Sequence, residues 1–195
     1  MINLKKANIM QKSSTYPVVD INNNQLLENK INKLIEREAM SMLPGAQYRD
    51  RNIISAASKY DITVNQNEIL SIRLENYFFP EKAANGVTKV KGITVNLVNG
   101  KSYRLKDLFI EGSNYQSLLN DIINMIIKEK DIPLFEEFPG INGYEEFYLT
   151  ENELVIIYQR YELTPGYYGV LEFKIPYDKL KNVVDEKSPI YLIQN

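Results

Sequence analysis

Neither histidine nor cysteine occurs in the 195 residues. Their absence removes Ser-His-Asp and Cys-His nucleophile systems, thiol redox chemistry, and zinc held by imidazole or thiolate. Acid–base chemistry is left to carboxylates, Lys and Tyr. Glu136, Glu137, Glu145, Glu146, Glu151 and Glu153 fall within one short stretch. Two carboxyl groups ~5–9 Å apart are the apparatus of glycoside hydrolysis. Neighbours along a strand point to opposite faces, however, and Glu151 and Glu153 flank a turn signal, so a solvated acidic surface is expected. No Asp/Asn/Gly loop of calcium-binding spacing and no glycine-rich phosphate loop occurs, so neither a metal nor a cofactor is expected.

Tyrosine is the second unusual feature, with 14 Tyr and no Trp. Tyr144, Tyr148, Tyr158, Tyr161, Tyr167, Tyr168 and Tyr177 all lie in the C-terminal third. An exposed tyrosine offers a flat apolar ring and one hydroxyl, a combination favoured at protein interfaces and able to stack on a sugar. Buried in a sheet, the same residue simply pairs across strands. Cross-strand pairing is the plainer account of Tyr158 and Tyr161. Tyr167 and Tyr168 sit between Gly166 and Gly169, where a tight turn throws side chains outward. The candidate recognition residues are Tyr144, Tyr161, Tyr167 and Tyr168.

Charge is nearly balanced, with 23 basic against 25 acidic residues. Nucleic-acid binding usually needs a clustered basic footprint, so it is not expected. Lys89, Lys91, Lys101, Arg104 and Lys106 form a local basic stretch, read as a solvated sheet face rather than an anion site. Met1 to Gln11 lacks the apolar run and cleavage site of a signal peptide, and no stretch is long enough to span a bilayer. Charges of both signs on the first helix also argue against membrane-surface binding.

The elements that must carry these residues are readable from spacing. Met1–Ser13 is a weakly signalled strand, and Pro17 keeps Tyr16 extended. Leu27, Ile31, Leu34, Ile35 and Met42 predict a helix over roughly 24–41 behind Asn22-Asn23-Asn24, closed by Pro44-Gly45. A strand over Ile53–Asn65 and a turn at Asn65-Gln66-Asn67 follow. The next strand places Leu70, Ile72, Leu74, Asn76 and Phe78 on one face and Arg73 and Glu75 on the other. Ile93, Val95 and Leu97 lead to the hairpin signal Asn99-Gly100, with a return strand from Tyr103. Ser113 and Gln116 form a capping box for a helix with a wide apolar surface, Leu118 to Ile127. Strands are expected over 147–150, 154–163 and 170–176, then a helical turn at Asp178 and a tail over Lys187–Asn195. The fold class is α+β, as two helix-plus-antiparallel-sheet subdomains, 1–105 and 106–195, sharing an interface.

Several segments carry a family resemblance. Asp131-Ile-Pro-Leu134, Phe147-Tyr-Leu-Thr150, the run from Leu154 to Pro165, and Phe173-Lys-Ile-Pro176 resemble a domain of unknown function found in Gram-positive bacteria. That domain occurs in small stand-alone proteins and at the extracytoplasmic end of the lysozyme-sensing anti-sigma-V factor. Tyr16-Pro-Val-Val19 through the first helix, with Lys106-Asp-Leu-Phe109, is similar to the companion module that precedes that domain there and that also occurs in a peptidoglycan deacetylase. The resemblance implies a non-catalytic binding domain of the cell envelope whose ligand is a protein, lysozyme among them, or a cell-wall glycan. Many relatives carry a Gly-Gly-Ala-His stretch where this chain has Ala83-Ala84-Asn85-Gly86-Val87, so no role of that histidine transfers. Two other functions fit the composition: a carboxylate-dependent glycan hydrolase, and a structural protein that self-associates through a strand edge.

Overall fold

The computed structural model describes residues 3–9, 14–44 and 52–195. Residues 1–2 and 10–13 of the expected first strand, and Gly45 of the helix stop, lie outside them. The fold is α+β. Strands β1 (Asn3–Ile9) and β2 (Ser14–Asp20) form an antiparallel pair. Helix α1 (Gln25–Ser41) follows, with Asn24 Oδ1 accepting from the Leu27 amide as its N-cap. Strands β3 (Ile53–Gln66), β4 (Ile69–Pro80) and β5 (Val87–Asn96) make one three-stranded antiparallel sheet in that order. Helix α2 (Tyr115–Glu129) leads to a second such sheet, β6 (Glu146–Leu149), β7 (Glu153–Tyr158) and β8 (Leu171–Pro176). Helix α3 (Pro189–Gln194) ends the chain.

Strand alternation sorts the side chains into layers. The α1 stripe of Leu27, Ile31, Ile35 and Ala39 packs with Leu70, Ile72 and Leu74 of β4 and with Ile93 and Val95 of β5. Residues 69, 71 and 73 of β4 point the other way, towards the second sheet: the Ser71 hydroxyl accepts from the Leu149 amide, and Arg73 pairs with Glu172. Beyond that sheet, Phe147, Leu149, Leu154, Ile156, Phe173 and Ile175 bury against Leu119 and Ile123 of α2 and against Ile190 and Ile193 of α3. Between the sheets, Val90, Tyr148, Val155 and Ile157 form a small apolar cluster. The order is α1, first sheet, second sheet, then α2 with α3.

Several expectations need correction. The strand returning from Asn99-Gly100 amounts to one bridge, Val95 with Ser102, before the chain winds into a 3-10 turn, Leu105–Leu108. There the Asp107 carboxylate accepts from the Arg104 amide and competes with strand extension. The hairpin turn between β3 and β4 falls on Asn67 and Glu68, both at positive φ, one residue later than expected. The capping box at Ser113 does not form. Asn114 is the N-cap residue, and Gln116 donates instead to the Ile141 carbonyl, while Asn120 Oδ1 accepts from the Ile141 amide. The two side chains pin the 139–143 connector, a tertiary use that outcompetes the local cap.

Burial on α2 is also narrower than its apolar surface implies. Leu119 and Ile123 are buried, whereas Met125 is exposed. β7 stops at Tyr158 rather than Leu163, because the chain turns at 159–162 and Tyr161 takes a positive φ of 70°. The tail is a helix, capped by Ser188 at its N-terminus. At its other end Asn67 Nδ2 donates to the Leu192 carbonyl, tying the β3–β4 turn to the C-terminus.

Side-chain amides also cover two strand edges. Asn32 of α1 bonds both the amide and the carbonyl of Val19 in β2, and Gln159 does the same to Val90 in β5. In each case the carboxamide substitutes for the backbone of a neighbouring strand.

Candidate functional site

All four candidate tyrosines project into solvent, with exposures of 63% for Tyr144, 60% for Tyr161, 80% for Tyr167 and 37% for Tyr168. Tyr148, Tyr158 and Tyr177 of the same third are buried. Tyr161, Tyr167 and Tyr168 share the loop that follows β7; Tyr144 stands on the connector before β6. Arg160 braces the loop. Its Nε donates to the Gly166 carbonyl at 2.7 Å and its Nη1 to the Gly86 carbonyl at 3.0 Å, while its guanidinium lies 4.8 Å from the Tyr161 ring centroid. Tyr161 rests on Gly166, where an added Cβ would fall 2.1 Å from the ring. The Ala83–Val87 segment is thereby fastened to the tyrosine loop through Gly86.

Tyr144 has cationic neighbours. Lys106 Nζ donates to its hydroxyl at 2.7 Å and sits 4.6 Å from the ring centroid, with Arg104 at 5.9 Å. The hydrogen bond and positive charge of Lys106 hold the Tyr144 phenol below its ordinary value. The expected solvated basic face is therefore divided. Lys106 and Arg104 attend Tyr144, and Lys91 turns inward.

Lys91 Nζ meets Glu38 of α1 at 2.5 Å and Glu146 of β6 at 3.4 Å. Sequence reasoning missed this triad, because nothing local marks Glu38 as facing β5. The three groups line a depression of about 230 Å³ together with Arg104, Tyr144 and Glu145. Burial raises the Glu38 carboxyl, but hydrogen bonds from Lys91 and Arg37 more than offset it and leave it low. Burial dominates at Glu146, which is pushed up despite Lys91. Two acids with values driven apart is the pattern of a general acid beside a charged partner. Here, however, the Lys91 ammonium occupies the space between them and joins α1, β5 and β6.

The sign of the Glu146 shift gives a test. A carboxyl raised in the fold binds its proton more tightly than in the unfolded chain, so its contribution to stability falls as pH rises through the folded value. Glu146→Gln is accordingly expected to leave stability at pH 7 unchanged or higher, with the gap to wild type closing as pH falls towards 4. Urea unfolding across that range measures it; a large loss at pH 7 would show that the Glu146 charge holds the triad together.

A second depression, about 560 Å³, opens on the other side of Tyr144. It is bounded by Glu145, Glu146, Tyr158, Gln159 and Glu162. Glu136, Glu137 and Glu151 are exposed and lie outside it. Among the described residues, no cluster of three or more metal-ligating side chains is present, and no helix is long and apolar enough to cross a membrane.

Residues 106–178 match the model of a family of proteins of unknown function, DUF3298. Over 176 residues the chain is 27% identical to the anti-sigma-V factor RsiV of Bacillus subtilis (strain 168), covering 83% of this chain and 61% of that protein. The chain thus spans less than two thirds of that relative's length. A DUF3298 family member from Bacteroides fragilis NCTC 9343 superposes with a TM-score of 0.69 at 14% identity, over 99% of this chain and 97% of that one. One from Pseudomonas aeruginosa PAO1 gives 0.57 at 19% identity, over 95% and 92%. These two likenesses establish the fold and carry no ligand with them.

Proposed function

We propose that the chain is a non-catalytic, extracytoplasmic binding domain that recognises a protein or cell-wall ligand through the surface bearing Tyr144, Tyr161, Tyr167 and Tyr168. The observation that carries this reading is the division among the tyrosines of the last third. Tyr148 and Tyr158 on the strands and Tyr177 just after β8 go inside, whereas those on the connector and the braced loop stand in solvent, as does Tyr191 on α3. Flat aromatic area held by an arginine clasp loses little freedom on binding. The likeness to an anti-sigma factor supports sensing as the role, and the family resemblance makes lysozyme the first protein ligand to try.

Tyr167→Ala with Tyr168→Ala is expected to weaken binding to immobilised lysozyme or to soluble muropeptides at least tenfold. Stability should stay within about 1 kcal/mol of wild type, as for most surface changes. Binding that survives the double substitution, or wild-type protein that binds neither probe, overturns the assignment.

The Glu38–Glu146 pair keeps a glycan hydrolase as a second reading. Mass spectrometry of muropeptides after incubation decides it: a new product abolished by Glu146→Gln would establish hydrolysis.

A further inference from the structure

We propose that Asn85 is a self-modifying position: the Gly86 amide attacks its side chain, and the isoaspartate that forms unfastens the tyrosine loop. Three Asn-Gly pairs occur, at 85–86, 99–100 and 142–143. A glycine after asparagine leaves its amide nitrogen unobstructed, and asparagine is among the thermolabile residues. The fold ties up two of the three pairs. Asn99 Oδ1 accepts from the Lys101 amide, and the Gly100 amide donates to the Asn96 carbonyl, both at 2.8 Å. Asn142 Oδ1 accepts from the Tyr144 amide, and the Gly143 amide donates to Glu145, both at 2.9 Å. In each pair an Asx turn fixes the carbon to be attacked, and the attacking nitrogen is engaged.

Asn85-Gly86 differs at both atoms. Asn85 is exposed on the connection between β4 and β5. Among the described residues, neither its carboxamide nor the Gly86 N–H has a hydrogen-bond partner. Gly86 is held from its other side. Its carbonyl accepts from Arg160 at 3.0 Å, and a Cβ added to it would fall 2.3 Å from the Tyr77 ring.

The reaction needs only water. The Gly86 nitrogen loses its proton to solvent and bonds to Asn85 Cγ, the bond from that carbon to the amide nitrogen breaks, and ammonia leaves. Water then opens the five-membered imide at either carbonyl, giving aspartate or isoaspartate. Isoaspartate routes the main chain through the former side chain, which adds one carbon ahead of Gly86 and shifts the carbonyl that Arg160 grips. Its carboxylate also offers the guanidinium a stronger acceptor than a carbonyl. Arg160 holds the tyrosine loop through Gly166 with the same guanidinium. Chemistry beside the first sheet is thus felt by the aromatic loop of the second.

The test incubates the full chain in mildly alkaline buffer and follows tryptic peptides by mass spectrometry. Peptide 83–89 contains Asn85 and no other Asn or Gln. It should gain the mass of amide-to-acid exchange about tenfold faster than peptides carrying Asn99 or Asn142, the rate equivalent of two modest hydrogen bonds. In urea the three rates should converge, because those bonds are gone. Comparable rates in the folded protein, or faster conversion at Asn99 or Asn142, overturns the assignment. In the isoaspartate fraction the amide signals of Gly86, Tyr161 and Gly166 should move while those of α3 stay still. An undisturbed 159–169 loop in that fraction overturns the link to the tyrosines. Asn85→Gln, incubated alongside, should show neither change. No ligand enters either measurement, so the outcome is separate from whether the tyrosine surface binds lysozyme or muropeptides.

Discussion

Gly92→Ala should abolish the native fold or destabilise it by more than about 4 kcal/mol, a loss reserved for backbone collisions and ruined cores. A Cβ built on Gly92 falls 1.7 Å from the Phe147 carbonyl oxygen and 2.3 Å from its carbon. Both neighbours are backbone, so no side chain can swing aside. Gly92 pairs with Arg73 in the β4–β5 ladder, and Phe147 pairs with Ile156 in β6–β7, so either retreat breaks a sheet. Packed sheets ordinarily stand ~10 Å apart, and only a missing side chain allows this contact. Circular dichroism and urea unfolding measure the effect. A variant with an unchanged midpoint would mean that the sheets do not meet there.

Arg73→Ala is expected to cost about 3 kcal/mol, the low end of what removing one partner of a buried ion pair costs, because this network is only partly buried. Arg73 reaches Glu172 of the second sheet at 2.7 Å and Glu75 of its own strand at 2.8 Å, and all three side chains are largely shielded from water. Without the guanidinium, two carboxylates lie between the sheets, and only Lys59 remains for Glu75. The loss should depend on pH. Burial tends to raise the Glu75 carboxyl, but bonds from Arg73 and Lys59 more than offset this and hold it low. A depressed carboxyl contributes stability above its unfolded value and loses it as pH falls through the folded one. The gap between wild type and variant should therefore be full at pH 7 and narrow below about pH 4. A gap that does not narrow in acid would assign the loss to packing of the arginine stem.

Local signals were legible where one physical rule acted alone. The α1 stripe, the alternation of β4 and the 3-10 turn at Tyr177–Lys179 stand where the spacing put them, because each depends on neighbours within a few positions. Reading failed where a distant residue outbid a near one. Gln116 left its cap for Ile141, and Arg160 took the carbonyls of Gly166 and Gly86 where the run from Leu154 to Leu163 promised strand beyond Tyr158. Arg73 and Glu75 read as a polar outer face, since nothing in alternation says that a second sheet will cover it. The exposure of Tyr167 and Tyr168 could be anticipated from their flanking glycines. That the buried Tyr158 hydroxyl lacks a hydrogen-bond partner among the described residues could not, because it depends on what Phe138, Phe173 and the connector leave unfilled.

Asn32 and Gln159 each hold a strand edge with one carboxamide, which works only because it both donates and accepts. Hydrolysis of either amide to the acid keeps the acceptor and discards the donor, leaving the carbonyl of Val19 or Val90 open. Slow chemical ageing would thus strip the guard from an edge and turn a well-behaved preparation into one that recruits copies of itself.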